Sequence, residues 1–141
     1  MSRIEVTGGQ KLKGEITVEG SKNAVLPVLA ATVLNGGINI IKNCPKLKDV
    51  EIMFEILKNI GCKVVVEGNM VIIDSSTISS TEISQELATE MRSSVIFIGP
   101  MLARCGKVSI CYPGGCVYTV YNIVLKTYLL LAYVDKYFIL C

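Results

Sequence analysis

The chain has 141 residues, 51% of them hydrophobic, with six cysteines and no histidine, and its 14 Lys and Arg against 12 Asp and Glu leave a net charge of +2. That length supports one domain with a real core, and so small a charge gives no electrostatic reason to expect nucleic acid or a strongly acidic partner. Residues 1–5 lack the charged-then-apolar pattern of a secretion signal, so a cytoplasmic location is expected, with Cys44, Cys62, Cys105, Cys111, Cys116 and Cys141 as thiols rather than disulfides. Without histidine or a Cys-x-x-Cys pair a zinc site would need four scattered thiolates; no metal and no other cofactor is expected.

In chain order, residues 3–6, a Gly8-Gly9 turn and the alternating Glu15-Ile16-Thr17-Val18-Glu19 read as opening strands, the last of them half buried. Gly20-Ser21-Lys22-Asn23-Ala24-Val25-Leu26-Pro27 follows, where a strand ends on glycine and an almost wholly apolar helix begins near Asn23 or Ala24. Pro27 has no N–H to lose and suits the opening turn, where that donor is free in any case. The first N–H groups of a helix lack partners inside it, and its dipole adds partial positive charge there. A phosphate or carboxylate therefore fits beside Lys22, with Asn23 adding a donor and an acceptor. On local chemistry alone, a capped helix with a solvated lysine is the simpler reading.

Between residues 24 and 34 only Thr32 and Pro27 interrupt the apolar run, which predicts a helix buried on most sides and ended by Gly36-Gly37. Ile38-Asn39-Ile40-Ile41 reads as a short strand. After Pro45, Val50, Met53, Phe54 and Leu57 fall at helical spacing, with Asp49 as N-cap and Gly61 as the stop. Residues 63–67 and 70–74 read as strands joined by a tight Gly68-Asn69 hairpin. Beyond a Ser/Thr-rich linker at 75–84, a second, looser copy of this order begins. A helix bearing Val95, Ile98 and Leu102 runs to Gly106, bent at Gly99-Pro100, and a strand at 108–112 leads into Pro113-Gly114-Gly115-Cys116, a tight loop presenting one thiol.

After Cys116 the composition changes: all twelve glycines and all four prolines precede Val117, whereas five of the six tyrosines follow it. Lys126 and the Asp135-Lys136 pair leave no clean apolar run of about 18 residues, which argues against a membrane span. A core helix or strand pair is a second reading of residues 117–141. A shifted reading frame is the third, and is favoured because it accounts for the sudden loss of glycine and proline without requiring a function.

Three motifs, in order, carry a resemblance over most of positions 1–116: Gly20-Ser21-Lys22-Asn23-Ala24; Thr89-Glu90-Met91-Arg92-Ser93-Ser94 with Gly99-Pro100-Met101-Leu102-Ala103-Arg104; and Pro113-Gly114-Gly115-Cys116. The chain resembles the enolpyruvyl transferase family, on the branch that acts on UDP-N-acetylglucosamine at the start of bacterial peptidoglycan synthesis. Cys116 separates that branch from the sister enzyme acting on shikimate 3-phosphate. The resemblance implies an α/β fold, the inside-out α/β barrel of repeated βαβαββ units in two domains, here incomplete. Residues 1–20 would be opening strands that belong with the second domain, 21–116 a partial first domain, and 117–141 a divergent apolar tail.

It also implies roles. Lys22 and Asn23 would contact phosphoenolpyruvate and the sugar nucleotide, Arg92 would bind UDP-N-acetylglucosamine, and Cys116 would give a proton to the methylene carbon of phosphoenolpyruvate; fosfomycin alkylates this cysteine across the family. A thiol can supply a proton if cationic neighbours bring its pKa near the working pH, and fixed cations stabilise the negative charge that enolpyruvyl transfer concentrates. Without the resemblance, Arg92 reads as a surface cation and Cys116 as a small apolar residue in a turn.

The departure follows directly. In the family the Gly-Gly-Cys loop continues through Gly-x-Arg-Pro-(Ile or Val)-Asp, whereas here it reads Val117-Tyr118-Thr119-Val120-Tyr121-Asn122, and no arginine follows Arg104. An inactive enolpyruvyl transferase fragment, a misfolded non-catalytic product and a tail-anchored membrane protein are therefore the three classes carried forward; nothing in the sequence sets an oligomeric state. Sequencing the encoding DNA past the Cys116 codon is expected to find Arg-Pro-Ile-Asp in another frame, and its absence from every frame would make the tail genuine.

Overall fold

The structure is a computed structural model that describes residues 3–9, 11, 13–111 and 137–140. Helix α1 spans Lys22–Asn35, and the Ser21 carbonyl accepts its first bonds from the N–H groups of Ala24 and Val25 at 3.2 and 3.0 Å. The helix thus starts slightly earlier than expected. Pro27 falls past the opening turn and has no N–H to offer the Asn23 carbonyl. At the other end Gly36 takes the left-handed conformation at φ 68°, and the Arg104 Nη1 donates to the Val33 carbonyl at 2.8 Å.

Burial of α1 is one-sided, contrary to the expectation from its apolar run. Val25, Leu26, Leu29, Ala30 and Val33 face inward, at the spacing of a single helical face, while Ala24, Pro27, Val28, Ala31 and Leu34 are exposed. The reason is the placement of its neighbours. The second helix, the 3-10 helix and the fourth helix all pack against α1, and among the described residues no element covers its opposite face.

Strand β1 (Ile38–Ile41), helix α2 (Lys48–Asn59), β2 (Lys63–Glu67) and β3 (Met70–Asp74) follow as expected in kind and place. They form an antiparallel sheet in the order β1-β3-β2, with Ile40 across from Ile72 and Ile72 across from Val65. Gly68, at φ 63°, makes the hairpin between β2 and β3. Val71 and Ile73 of β3 join the core, together with Val50, Met53, Phe54, Ile56 and Leu57 from α2. The N-cap of α2 is Leu47 rather than Asp49, which lies inside the first turn.

Residues 75–84, expected as a linker, are tied down by hydrogen bonds. Ser75 is buried, its Oγ donating to the Thr32 carbonyl at 2.8 Å and its N–H to the Gly37 carbonyl at 3.0 Å. Thr77 Oγ1 donates to the Gly61 carbonyl at 2.7 Å. The segment ends in β4 (Glu82–Ile83), which pairs parallel with β5 (Lys107–Ile110); β6 (Tyr137–Leu140) pairs parallel with the other side of β5.

Between β4 and β5 the single bent helix of the sequence reading is three pieces: α3 (Gln85–Glu90), a 3-10 helix (Arg92–Phe97) and α4 (Ile98–Cys105). Met91, at φ −138° and ψ 125°, interrupts the first junction. Pro100 then stands in the first turn of α4, where its missing N–H costs nothing.

Residues 3–6 and 15–19 belong to no strand, with Ile16 91% exposed. A strand exists only against a partner, and no described strand pairs with either segment. The readings of residues 108–141 fall largely outside the described residues, apart from residues 108–111, the first three of them in β5, and the four residues of β6. No helix among the described residues is long and apolar enough to cross a membrane. The one-sided burial of α1 sets a contrast: Leu29→Ala is expected to cost about 2–5 kcal/mol in urea unfolding, whereas Val28→Ala, at 47% exposed, should stay within about 0.5 kcal/mol.

Candidate functional site

Lys22 opens α1 and Asn23 follows it, both exposed. The bonds to the Ser21 carbonyl begin at Ala24, so the Lys22 and Asn23 amides lie ahead of the intrahelical ladder, and no side chain caps the helix. This is the open, electropositive turn that the sequence implies. Lys22 is half exposed but paired. Its Nζ donates to Asp49 Oδ2 at 2.5 Å, joining the start of α1 to the start of α2.

A second ion pair extends the arrangement. Lys48 Nζ lies 3.0 Å from Glu90 Oε1, which holds the start of α2 to the end of α3, and two residues later Arg92 opens the 3-10 helix. The two pairs thus tie the start of α2 to the start of α1 on one side and to the end of α3, two residues ahead of Arg92, on the other. Arg92 is exposed there and forms no ion pair among the described residues. Cys116 lies outside the described residues.

The Lys22–Asp49 pair is partly exposed on both sides, and pairs of that kind are worth about 0–1 kcal/mol. An anion arriving at the helix start could therefore take the lysine from Asp49 at small cost. Sequence reasoning assigned Asp49 to the N-cap and so missed this partner. The signal was there in part, since an acid in the first turn of a helix is stabilised by the dipole without capping anything. Arg104 was read only as part of a motif; its contact with Val33 joins α4 to α1, which spacing cannot reveal.

Ahead of α1, a Cβ on Gly20 would collide with the Asn43 carbonyl oxygen, so glycine lets the chain lie directly against the loop at 43–46. A cleft of about 400 Å³ separates residues 17–19 from that loop. Its described lining includes none of Lys22, Asn23 and Arg92, and its Cys44 is a buried thiol that burial pushes above its ordinary pKa. Cys62 is pushed further, to about 11, by burial first, with Asp74 and Cys105 adding to the rise and Arg104 opposing it. Among the described residues no group of His, Cys, Asp and Glu is placed to hold a metal ion.

These elements are those of an enolpyruvyl transferase domain. The family model described as EPSP synthase (3-phosphoshikimate 1-carboxyvinyltransferase) matches residues 6–119, and the chain belongs to that family. Among curated relatives, UDP-N-acetylglucosamine 1-carboxyvinyltransferase 2 of Caldanaerobacter subterraneus subsp. tengcongensis is 47% identical over 116 residues, which cover 82% of this chain and 28% of that protein. The UDP-N-acetylglucosamine 1-carboxyvinyltransferase of Dichelobacter nodosus is 43% identical over 117 residues, with the same coverage. In fold the chain is similar to the crystal structure of the enolpyruvyl transferase NikO from Streptomyces tendae, with a TM-score of 0.61 and 23% identity over 70% of this chain and 23% of that one. The chain therefore spans somewhat over a quarter of the length of the curated relatives it matches.

The raised pKa of Cys62 sets a pH dependence. The folded chain keeps this proton where the unfolded chain has lost it, so the contribution is whole below about pH 9 and is lost as pH rises towards about 11. Denaturant unfolding should show stability falling over that window, by less in Cys62→Ala.

Proposed function

We propose that this chain is an amino-terminal part of a UDP-N-acetylglucosamine 1-carboxyvinyltransferase, and that its 141 residues alone do not turn over. The observation that carries the reading is the coincidence of the open first turn of α1, bearing Lys22 and Asn23, with a stretch 41–47% identical to proteins of that name. In this reading phosphoenolpyruvate and UDP-N-acetylglucosamine are the substrates and the cytoplasm is the location. The phosphate or a carboxylate of phosphoenolpyruvate would meet the free amides and the Lys22 ammonium at the helix start. Arg92, at the start of the 3-10 helix, would hold the sugar nucleotide. Cys116 would protonate the methylene carbon as a sugar hydroxyl, giving up its proton, adds to the neighbouring carbon, and loss of a proton from the resulting methyl group together with phosphate would leave the enolpyruvyl ether.

The exposed, unpaired residues 15–19 support assigning residues 1–20 to strands that pair elsewhere, in a second domain, and residues 21–116 to part of the first. The same exposed apolar side chains, Ile4, Val6, Ile16 and Val18, favour one other reading, a non-catalytic product that associates through them. Catalysis here means holding two substrates and an acid in one geometry, which can account for about 7–11 kcal/mol of a barrier. The 141 residues by themselves correspond to somewhat over a quarter of such an enzyme, too little to hold both substrates and the acid in that geometry with water shut out.

The test is release of inorganic phosphate from phosphoenolpyruvate in the presence of UDP-N-acetylglucosamine, with Cys116→Ala as control. No rate above the control is expected. A rate that vanishes in Cys116→Ala and is weakened in Lys22→Ala would establish the substrates and site while overturning the claim of inactivity.

A further inference from the structure

The antiparallel sheet ends at β2, and among the described residues no strand lies against its outer side. An edge strand presents a row of backbone N–H and C=O groups ready to pair with another chain. The sequence of β2, Lys63-Val64-Val65-Val66-Glu67, has an unusual symmetry: three valines between a cation at one end and an anion at the other. Val65 and Val66 are 50% and 53% exposed. Val66 is half in solvent although it shares the core side of the sheet with its register partner Val71, which is buried. The core layer is therefore unfinished at this edge.

We propose that β2 is a self-complementary edge on which a second copy of this chain adds its own β2, antiparallel, about a two-fold axis through Val65. With that centre, Val65 faces the second copy's Val65, Val64 faces its Val66, and Lys63 faces its Glu67, the last two pairings occurring twice by symmetry. The register has no close competitor. A centre between residues turns side chains to opposite faces, and a centre on Val64 or Val66 loses both charge pairs.

The rest of the sheet agrees. On the outer face Ile40, Ile72 and Val65 form one cross-strand row, which the second copy would extend without interruption across six strands. Within its own sheet Lys63 lies across from Asp74, so the added strand would set the ammonium between two carboxylates. The opposite edge, β1, carries Ile38, Asn39, Ile40 and Ile41 and has no charges to pair. Charge pattern therefore selects β2 and a second copy of this chain.

Sedimentation equilibrium on the 141-residue chain tests this. A dimer is expected, weakened at least about tenfold by Lys63→Glu or by Glu67→Lys, each of which sets like charges opposite one another twice, and restored in the doubly swapped chain. Val65→Lys, placing two ammonium groups on the axis, should abolish it and checks the same interface by a different change. A wild-type monomer would overturn the proposal, as would association that the single reversals leave unchanged or that the double swap fails to restore. Far-UV circular dichroism of each variant confirms that these exposed substitutions leave the fold in place.

Discussion

The last carbonyl groups of a helix have no partner inside it, and at the C-terminal end of α1 two of them, on the buried residues Thr32 and Val33, face the elements that make up the rest of the fold. The Val33 carbonyl is met by Arg104 from α4, and the Thr32 carbonyl by the Ser75 hydroxyl just beyond β3 and by the Asn39 amide of β1. A buried carbonyl left without a donor costs about 1–3 kcal/mol, so these contacts are obligatory for the packing rather than incidental to it. Through them one helix end aligns the antiparallel sheet, the following segment and α4. The left-handed turn at Gly36 is part of the same arrangement, because a Cβ there would press on the Arg104 guanidinium.

With its C-terminal end locked, α1 holds its N-terminal end in a defined place while leaving it chemically open. Ser21 caps the helix with its carbonyl alone, and the amides of Lys22 and Asn23 stand ahead of the ladder. Two ion pairs then act as spacers, setting the starts of α1 and α2 and the end of α3 side by side. Such pairs contribute little to stability at this exposure, and for that reason can exchange partners. Rigidity at one end of the helix and exchangeable charge at the other suit a surface that receives anions.

The elements legible in the sequence were those decided locally. The β2–β3 hairpin was readable because Gly68 satisfies a turn no other residue makes as easily, and β1 and α2 because their apolar spacing agrees with their length. Lys22 and Asn23 were legible as a helix-start motif, and the structure places them at a helix start. Arg92 and Cys116 were legible only through resemblance, since an arginine after a helix and a cysteine in a turn have many ordinary explanations. The misreadings share one cause. Residues 15–19 alternate like a strand, but alternation describes a face and cannot supply the partner that makes a strand. Asp49 has the chemistry of an N-cap, yet the helix begins one residue before it and the carboxylate goes to Lys22.

Sequence by itself determined the order of helices and strands from residue 22 through residue 74, the turns between them and the chemical character of the helix start, because each depends on backbone preferences and on side chains a few positions apart. Tertiary structure alone decided which face of α1 is buried, that residues 75–84 are tied to the core rather than free, and that Lys22 pairs with Asp49. Each of those depends on groups that meet only after the chain has folded. A uniformly apolar helix carries no periodicity to say which side its neighbours will take, and an ion pair between residues 22 and 49 leaves no trace in the spacing of either helix.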